Sequence, residues 1–302
     1  MAISAEDLAA LSTEQRNRAS EQLDSMSTLE MLTTINDEDA KIAAAVRAEL
    51  PQIAASVDRI ADRFQHGGRL FYIGAGTSGR LGVLDASECP PTFSVDPSLV
   101  QGLIAGGDSA LRKSSEHSED SHVAGANDLH SAGFTSNDTL VGIAASGRTP
   151  YVLGAIEYAR NLNALTIGLS CVANSALAQA AEIAITPVTG PEVVTGSTRM
   201  KAGTATKLVL NMLSTGVMVR TGATYGNLMV NVRATNEKLV KRAERIVADA
   251  TGADLSLAAE TLRSAGMSVK IAIVMLKQST DRTSAEAKLA QAHGVLRKAL
   301  GE

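Results

Sequence analysis

The sequence predicts an α/β protein: a parallel sheet wrapped by crossover helices, preceded by N-terminal helices and followed by a small helical domain. Three observations carry this. Between residue 69 and about residue 213, short β-branched runs alternate with alanine-rich helical patterns, as strand–helix–strand units with parallel strands require. Each run is followed by Gly, Ser or Asn, residues that turn a strand into a helix start. From about Asn236 to Glu302 the strand signal disappears, and Gly252 and Gly266 punctuate helix-period stretches.

Taken in order, Ser27-Thr-Leu-Glu30 has capping-box spacing and starts a helix. Asp37-Glu-Asp-Ala40 opens an apolar-periodic stretch that pauses at Pro51, resumes to Phe64 and is ended by Gly67-Gly68. Strands are expected near 69–74, 99–105, 139–144, 164–169 and 182–186. The glycine-rich segment from Thr189 to Arg199 leads into a long helix through Val219, and three or four helices close the chain. The expected division is an N-terminal helical segment (1–55), a central sheet domain (56–225) and a C-terminal helical domain (236–302).

Composition narrows the function classes. The chain has 302 residues, 45% of them hydrophobic, enough for a sizeable core without staples. A net charge of −4 with no run of Lys or Arg argues against nucleic acid or an anionic membrane as partner. The absence of Trp and 3% aromatic content leave few platforms for stacking bases. Cys89 and Cys171 are too few for a disulfide framework, and Met1-Ala-Ile-Ser-Ala-Glu-Asp7 is no apolar signal segment, which fits the cytoplasm. The longest apolar stretch, near Leu208 to Val219, is interrupted by Asn211, Ser214 and Thr215 and is too short to span a bilayer.

Two loops point to a phosphate. Gly74-Ala-Gly-Thr-Ser-Gly79 follows the run ending at Ile73, and Ala145-Ser-Gly-Arg-Thr-Pro150 follows the run ending at Ala144, with Pro150 suited to a first helical turn. Small residues at Gly76, Gly79 and Gly147, with the hydroxyls of Thr77, Ser78, Ser146 and Thr149, let amides and hydroxyls close on an anion at a helix start. Arg80 and Arg148 either assist or cap surface helices. The first loop also spells G-x-G-x-x-G, with Asp108 as the acid a dinucleotide site needs at rather long separation. The second hydroxyl-bearing loop favours a monophosphate clamp instead.

Carboxylates supply the candidate chemistry. Glu88 lies in Asp85-Ala-Ser-Glu-Cys-Pro-Pro91, where the prolines are expected to end the helix and leave the acid in a partly apolar corner. Glu116, Glu119 and Asp120 have the spacing of one helical face, as a base or as a solvated surface. His117, Glu119 and His122 lack the i, i+4 histidine pair of a helical metal site, so no metal is expected. Cys89 reads as a small buried residue.

Longer strings carry a resemblance. Residues 74–92, 102–107, 142–152, 193–204, 207–216, 225–230 and 234–239 closely resemble the N-acetylmuramic acid 6-phosphate etherases, from about Leu23 to the C-terminus. The resemblance implies a sugar isomerase-type domain with a flavodoxin-like parallel sandwich, a C-terminal domain like ubiquitin-associated domains, and a cytoplasmic homodimer acting in cell-wall recycling. It also implies cleavage of the D-lactyl ether of N-acetylmuramate 6-phosphate without metal or organic cofactor. The family's acid matches Glu88 and its second active-site glutamate matches Glu119, while His117 and Ser118 depart from the family's Glu-Gly-Ala-Glu-Asp pattern. An aldose–ketose isomerase and a non-catalytic sugar-phosphate sensor fit the same sheet and loops, and the carboxylate pair favours the etherase.

Overall fold

The computed structural model describes residues 12–113, 118–232 and 236–302. The chain forms two compact units, one running through Ser87 and from Pro97 to Ser214, the other comprising Glu88–Asp96 and Thr215–Glu302.

The first unit is organised by a five-stranded parallel sheet: β1 (Leu70–Gly74), β2 (Val100–Ile104), β3 (Thr139–Ile143), β4 (Leu165–Leu169) and β5 (Ile183–Ile185), in the order β2-β1-β3-β4-β5. Every expected strand is present with its ends shifted by at most a residue. β1, β3 and β4 are buried along their whole length, as unbroken apolar runs demand of strands covered on both faces. β2 and β5, at the edges, keep partly exposed positions.

Helices α1 (Thr28–Asp39), α2 (Ile42–Ala48) and α3 (Leu50–Gln65) precede the sheet. α4 (Gly76–Phe93), α5 (His122–Ser131), α6 (Pro150–Asn161), α7 (Ala176–Ala180) and α8 (Lys201–Arg220) follow the successive strands. The Ser27–Glu30 capping box is formed in both directions. Asp37-Glu-Asp, however, closes α1 instead of opening the next helix, and Pro51 sits in the first turn of α3, where its missing N–H costs nothing. α3 buries Ile53, Val57, Ile60 and Ala61 on one stripe. Under α6 the core gathers Phe71, Leu129, Leu140, Val152, Ile156 and Leu177, with Phe134 edge-on to Phe71 at 5.2 Å.

Among the described residues of this unit, one ion pair has both side chains buried. Lys201 Nζ donates to Glu38 Oε2 at 2.6 Å, with both side chains nearly inaccessible. Burial alone would raise the Glu38 carboxyl, but hydrogen bonds from Lys201, Lys41 and Asn17 outweigh it and hold it at about 2. The folded pKa lies below the unfolded value of about 4.3, so this stabilisation is complete above that pH and is lost as pH falls towards 2. Glu38→Gln is expected to cost roughly 3–5 kcal/mol at neutral pH, by stranding the Lys201 ammonium. Denaturant titrations should show the gap between parent and variant closing from pH 5 to pH 2.5, and a gap independent of pH would contradict this assignment.

The second unit contains a two-stranded antiparallel ladder, β6 (Thr224–Tyr225) with β7 (Leu228–Met229), which nothing in the sequence pattern signalled. Five helices follow among the described residues: α9 (Glu237–Thr251), α10 (Leu255–Ser264), α11 (Val269–Gln278), α12 (Arg282–Gln291) and α13 (Leu296–Leu300). Asn236, Asp254, Ser268 and Asp281 cap the first four. Their apolar faces meet in a core that includes Val247, Leu262, Ile273, Leu289 and Leu296.

Candidate functional site

Strand order decides where a ligand can sit. From β1 the chain crosses to β2 on one side, and β3 then returns to the other side of β1, so β1 and β3 are neighbours with diverging connections. Such a switch point opens a crevice beyond the carboxyl ends of the two strands. Gly74 pairs in register with Ile143, and the two glycine loops therefore emerge side by side.

The first loop runs directly into α4. Gly76 starts the helix with φ +53°, Thr77 and Ser78 are half-buried in its first turn, and the Gly79 N–H already bonds to Ala75 O at 3.2 Å. The amides before Gly79 are the orphan donors of a helix start. Arg80 turns away: its guanidinium donates to the carbonyls of Ala110 and Leu111, fixing the turn Asp108–Leu111 after β2. It is a structural brace in this fold.

The second loop delivers α6. Gly147 has φ +67°, and a Cβ there would lie 2.2 Å from Ser175 Oγ, so only glycine fits against the start of α7. Ser146 and Thr149 are half-buried, and Arg148 is exposed. Thr149 is the N-cap of α6 yet makes no side-chain cap bond, whereas Ser121 caps α5 and Ser175 caps α7. At α8 the first-turn amides of Lys201 and Ala202 are taken by the buried carboxylate of Glu192 at 2.9 Å each. The helix starts after β2, β4 and β5 thus carry their own side-chain acceptors. α6, at the switch point, keeps its hydroxyl unspent.

Glu119 is brought to this place by backbone contacts. Its carbonyl accepts from Tyr151 N at 3.0 Å, in the first turn of α6, and its side chain is exposed. α5 and α6 cross so closely that a Cβ at Gly125 would stand 1.9 Å from Tyr151 O, and one at Gly154 1.9 Å from His122 O. Of the expected helical face of Glu116, Glu119 and Asp120, the last two lie in the turn before α5, whose N-cap is Ser121. Glu116 and His117 lie outside the described residues.

Glu88 stands on α4 at an exposed position. The two prolines do not end the helix at Glu88, since α4 continues through Pro90 and Pro91 to Phe93, and Ser94 N bonds back to Pro90 O at 2.9 Å. A proline in the last turn forfeits one carbonyl partner without forcing the chain out of helical geometry. Nor is Glu88 tucked into an apolar corner, for it is Cys89 that turns inward at 2% exposure.

Beside the Glu119 turn lies a cleft of about 590 Å³ between β2 and α5, lined by Asp108, Ser118, Ser121, Asp128 and Tyr151 among others. The Tyr151 phenol donates to Asp128 at 2.6 Å, and burial, then this carboxylate, push its pKa up. Two carboxylates make this wall unsuited to a phosphate. Cys171 is no nucleophile, since burial and the Glu192 charge push its thiol up to about 12.

The sequence reading missed Glu192 and Asp85. Buried Asp85 accepts hydrogen bonds from Tyr72, Asn211 and Ser214 and so joins α4 to β1 and α8. A lone acid on an otherwise apolar helix face was the available signal.

Comparisons with known proteins now place the chain. A family model described as "SIS domain" matches residues 112–216, and one described as "Glucokinase regulatory protein N-terminal SIS domain" matches residues 52–160. With the observed sheet order, they define the first unit as a sugar isomerase-type domain. N-acetylmuramic acid 6-phosphate etherase of Aliivibrio fischeri strain MJ11 is 60% identical over 296 residues, covering 98% of this chain and 99% of that protein. The protein of the same name from Clostridium beijerinckii is 55% identical over 97% of this chain and 96% of its own length. A phosphoheptose isomerase structure from Neisseria gonorrhoeae superposes with a TM-score of 0.49 at 16% identity, covering 63% of this chain and 98% of that one. The chain belongs to the N-acetylmuramic acid 6-phosphate etherase family and is an enzyme, a carbon–oxygen lyase.

Proposed function

We propose that the protein cleaves the D-lactyl ether of N-acetylmuramic acid 6-phosphate, giving N-acetylglucosamine 6-phosphate and D-lactate in the recycling of cell-wall amino sugars. The carrying observation is the pair of loops at the β1/β3 switch point, with Glu119 held by its backbone to the first turn of α6. Gly76, Thr77, Ser78 and Gly79 from one loop and Ser146, Gly147, Arg148 and Thr149 from the other hold the 6-phosphate through amides, hydroxyls and one cation.

An unactivated ether resists direct hydrolysis, but the open-chain sugar carries an aldehyde that acidifies the proton on carbon 2. Glu119 takes that proton as base, and Glu88, by its match to the family's acid, protonates the lactate oxygen as the bond to carbon 3 breaks. Water then adds its oxygen to carbon 3 of the unsaturated aldehyde and returns a proton to carbon 2. The sum is ether plus water giving the aldose with a free hydroxyl on carbon 3 plus lactate, with no net oxidation or reduction. Two carboxylates suffice, so neither a metal nor an organic cofactor enters the scheme. The reading includes a cytoplasmic homodimer and a C-terminal helical domain over 236–302.

Incubation with N-acetylmuramic acid 6-phosphate is expected to release D-lactate, and its absence would refute the activity. In heavy-oxygen water the label should enter carbon 3 of N-acetylglucosamine 6-phosphate, because the bond broken lies on the sugar side. Label in the lactate hydroxyl would instead exclude elimination. Ser78→Ala with Ser146→Ala removes two hydrogen bonds to a charged group, roughly 1.5–3 kcal/mol each, and should weaken phosphosugar binding by about two orders of magnitude or more. Unchanged affinity in a titration would show that the phosphate is held elsewhere.

A further inference from the structure

The loop from Pro191 to Lys201, which ends at the start of α8, is tied at both ends to the N-terminal segment. Near its first end, Asn17 Nδ2 donates to Pro191 O at 3.1 Å and Ser20 Oγ donates to Val193 O at 2.8 Å, both across more than 170 residues of chain. At its far end, Lys201 reaches Glu38 at 2.6 Å, and Asn17 Nδ2 donates to the same Glu38 carboxylate oxygen at 2.9 Å. One carboxylate and one amide thus join both loop ends. Inside the loop, Glu192 is fully buried and takes the amides of Lys201 and Ala202, so the turn is closed on itself as well. Just beyond, a Cβ added at Gly203 would lie 3.6 Å from the methyl of Thr77, so the backbone at the start of α8 passes the first glycine loop with room for no more than about one methyl group between them.

We propose that Asn17, Ser20 and Glu38 are positioning residues: they set the loop 191–201 and the start of α8 against Thr77, and thereby set the affinity of the cradle for a phosphorylated sugar. None of them is part of the cradle or the carboxylate pair. The buried, charge-assisted contacts fix the loop ends, while Val194, Thr195 and Arg199 between them are exposed and free to follow a change at either end. The affinity part of this inference rests on the function proposed above; the tethering part does not.

The test uses the full-length protein and two variants, Ser20→Ala and Glu38→Gln, checked for folding by circular dichroism. Ser20→Ala removes the bond to Val193 O while leaving the ion pair intact, and it serves where Glu38→Gln fails to fold. Calorimetric titration with N-acetylglucosamine 6-phosphate is expected to give a Kd raised about three- to tenfold, with kcat for lactate release within about twofold of the parent. Cleavage by trypsin after Arg199 should accelerate in the variant under conditions where the rest of the chain stays intact. An unchanged cleavage rate in a folded variant would overturn the tether, and faster cleavage with unchanged Kd would overturn its link to affinity. So would a loss confined to kcat. If the parent itself neither binds the sugar phosphate nor releases lactate, the proposed function falls, and the trypsin comparison still decides whether the N-terminal segment holds the loop.

Discussion

Glu119→Gln is expected to reduce D-lactate release by about 10²- to 10⁴-fold, the usual contribution of a positioned acid–base group, while leaving the fold and phosphosugar binding in place. Its carbonyl, which bonds to Tyr151 N, is untouched by the substitution, so the tie to α6 is kept. Glu88→Gln should be impaired to a similar degree but in a different way. With its acid missing, that variant still has the base and the aldehyde, and it should continue to exchange the carbon 2 proton with deuterium from solvent. Glu119→Gln should lose the exchange. Proton magnetic resonance of the substrate in deuterated buffer reads this directly. Exchange at the parental rate in Glu119→Gln together with none in Glu88→Gln would reverse the two roles.

Gly125→Ala is expected to be strongly damaging although it adds a single methyl outside the cradle. The added Cβ would stand 1.9 Å from the carbonyl oxygen of Tyr151, a backbone atom that cannot swing aside, so α5 and α6 must separate. Overpacking of this kind costs about 1–3 kcal/mol and occasionally more. The separation also pulls at the Glu119–Tyr151 backbone bond, which lies at the same helix crossing. Activity should therefore fall by more than the loss of folded protein explains. Denaturant unfolding and kcat measured on the folded fraction separate the two effects. A variant as stable as the parent would show that the helices approach less closely than 1.9 Å implies.

Much of this architecture is legible in the sequence because its causes are local. The strands are runs of β-branched and aliphatic residues too short for helices. The loops after β1 and β3 declare themselves by glycine and hydroxyl residues whose backbone roles need no partner. The capping box of α1 is read within four residues. Reasoning from local chemistry failed where a distant element set the outcome. The prolines after Glu88 would end an isolated helix, yet α4 runs on to Phe93 with Cys89 buried on its inner side. Glu119 and Asp120 lie in a turn set by the Ser121 cap of α5 and by the Glu119 carbonyl bonding to α6, a contact across the fold that residue spacing does not contain.

The sequence by itself determined the fold class and the positions of the two glycine loops after β1 and β3, since each depends on residue type within a few positions of chain. The resemblance of its longer strings carried the family. Only the tertiary structure decided which helix starts are already satisfied by a carboxylate or hydroxyl of the protein. It alone showed that Arg80 serves as a brace and that Glu38 and Lys201, 163 residues apart, form one buried pair. Pairing across such separations is settled by which side chains are desolvated together, and that depends on the packing of whole elements, a property no local window of sequence contains.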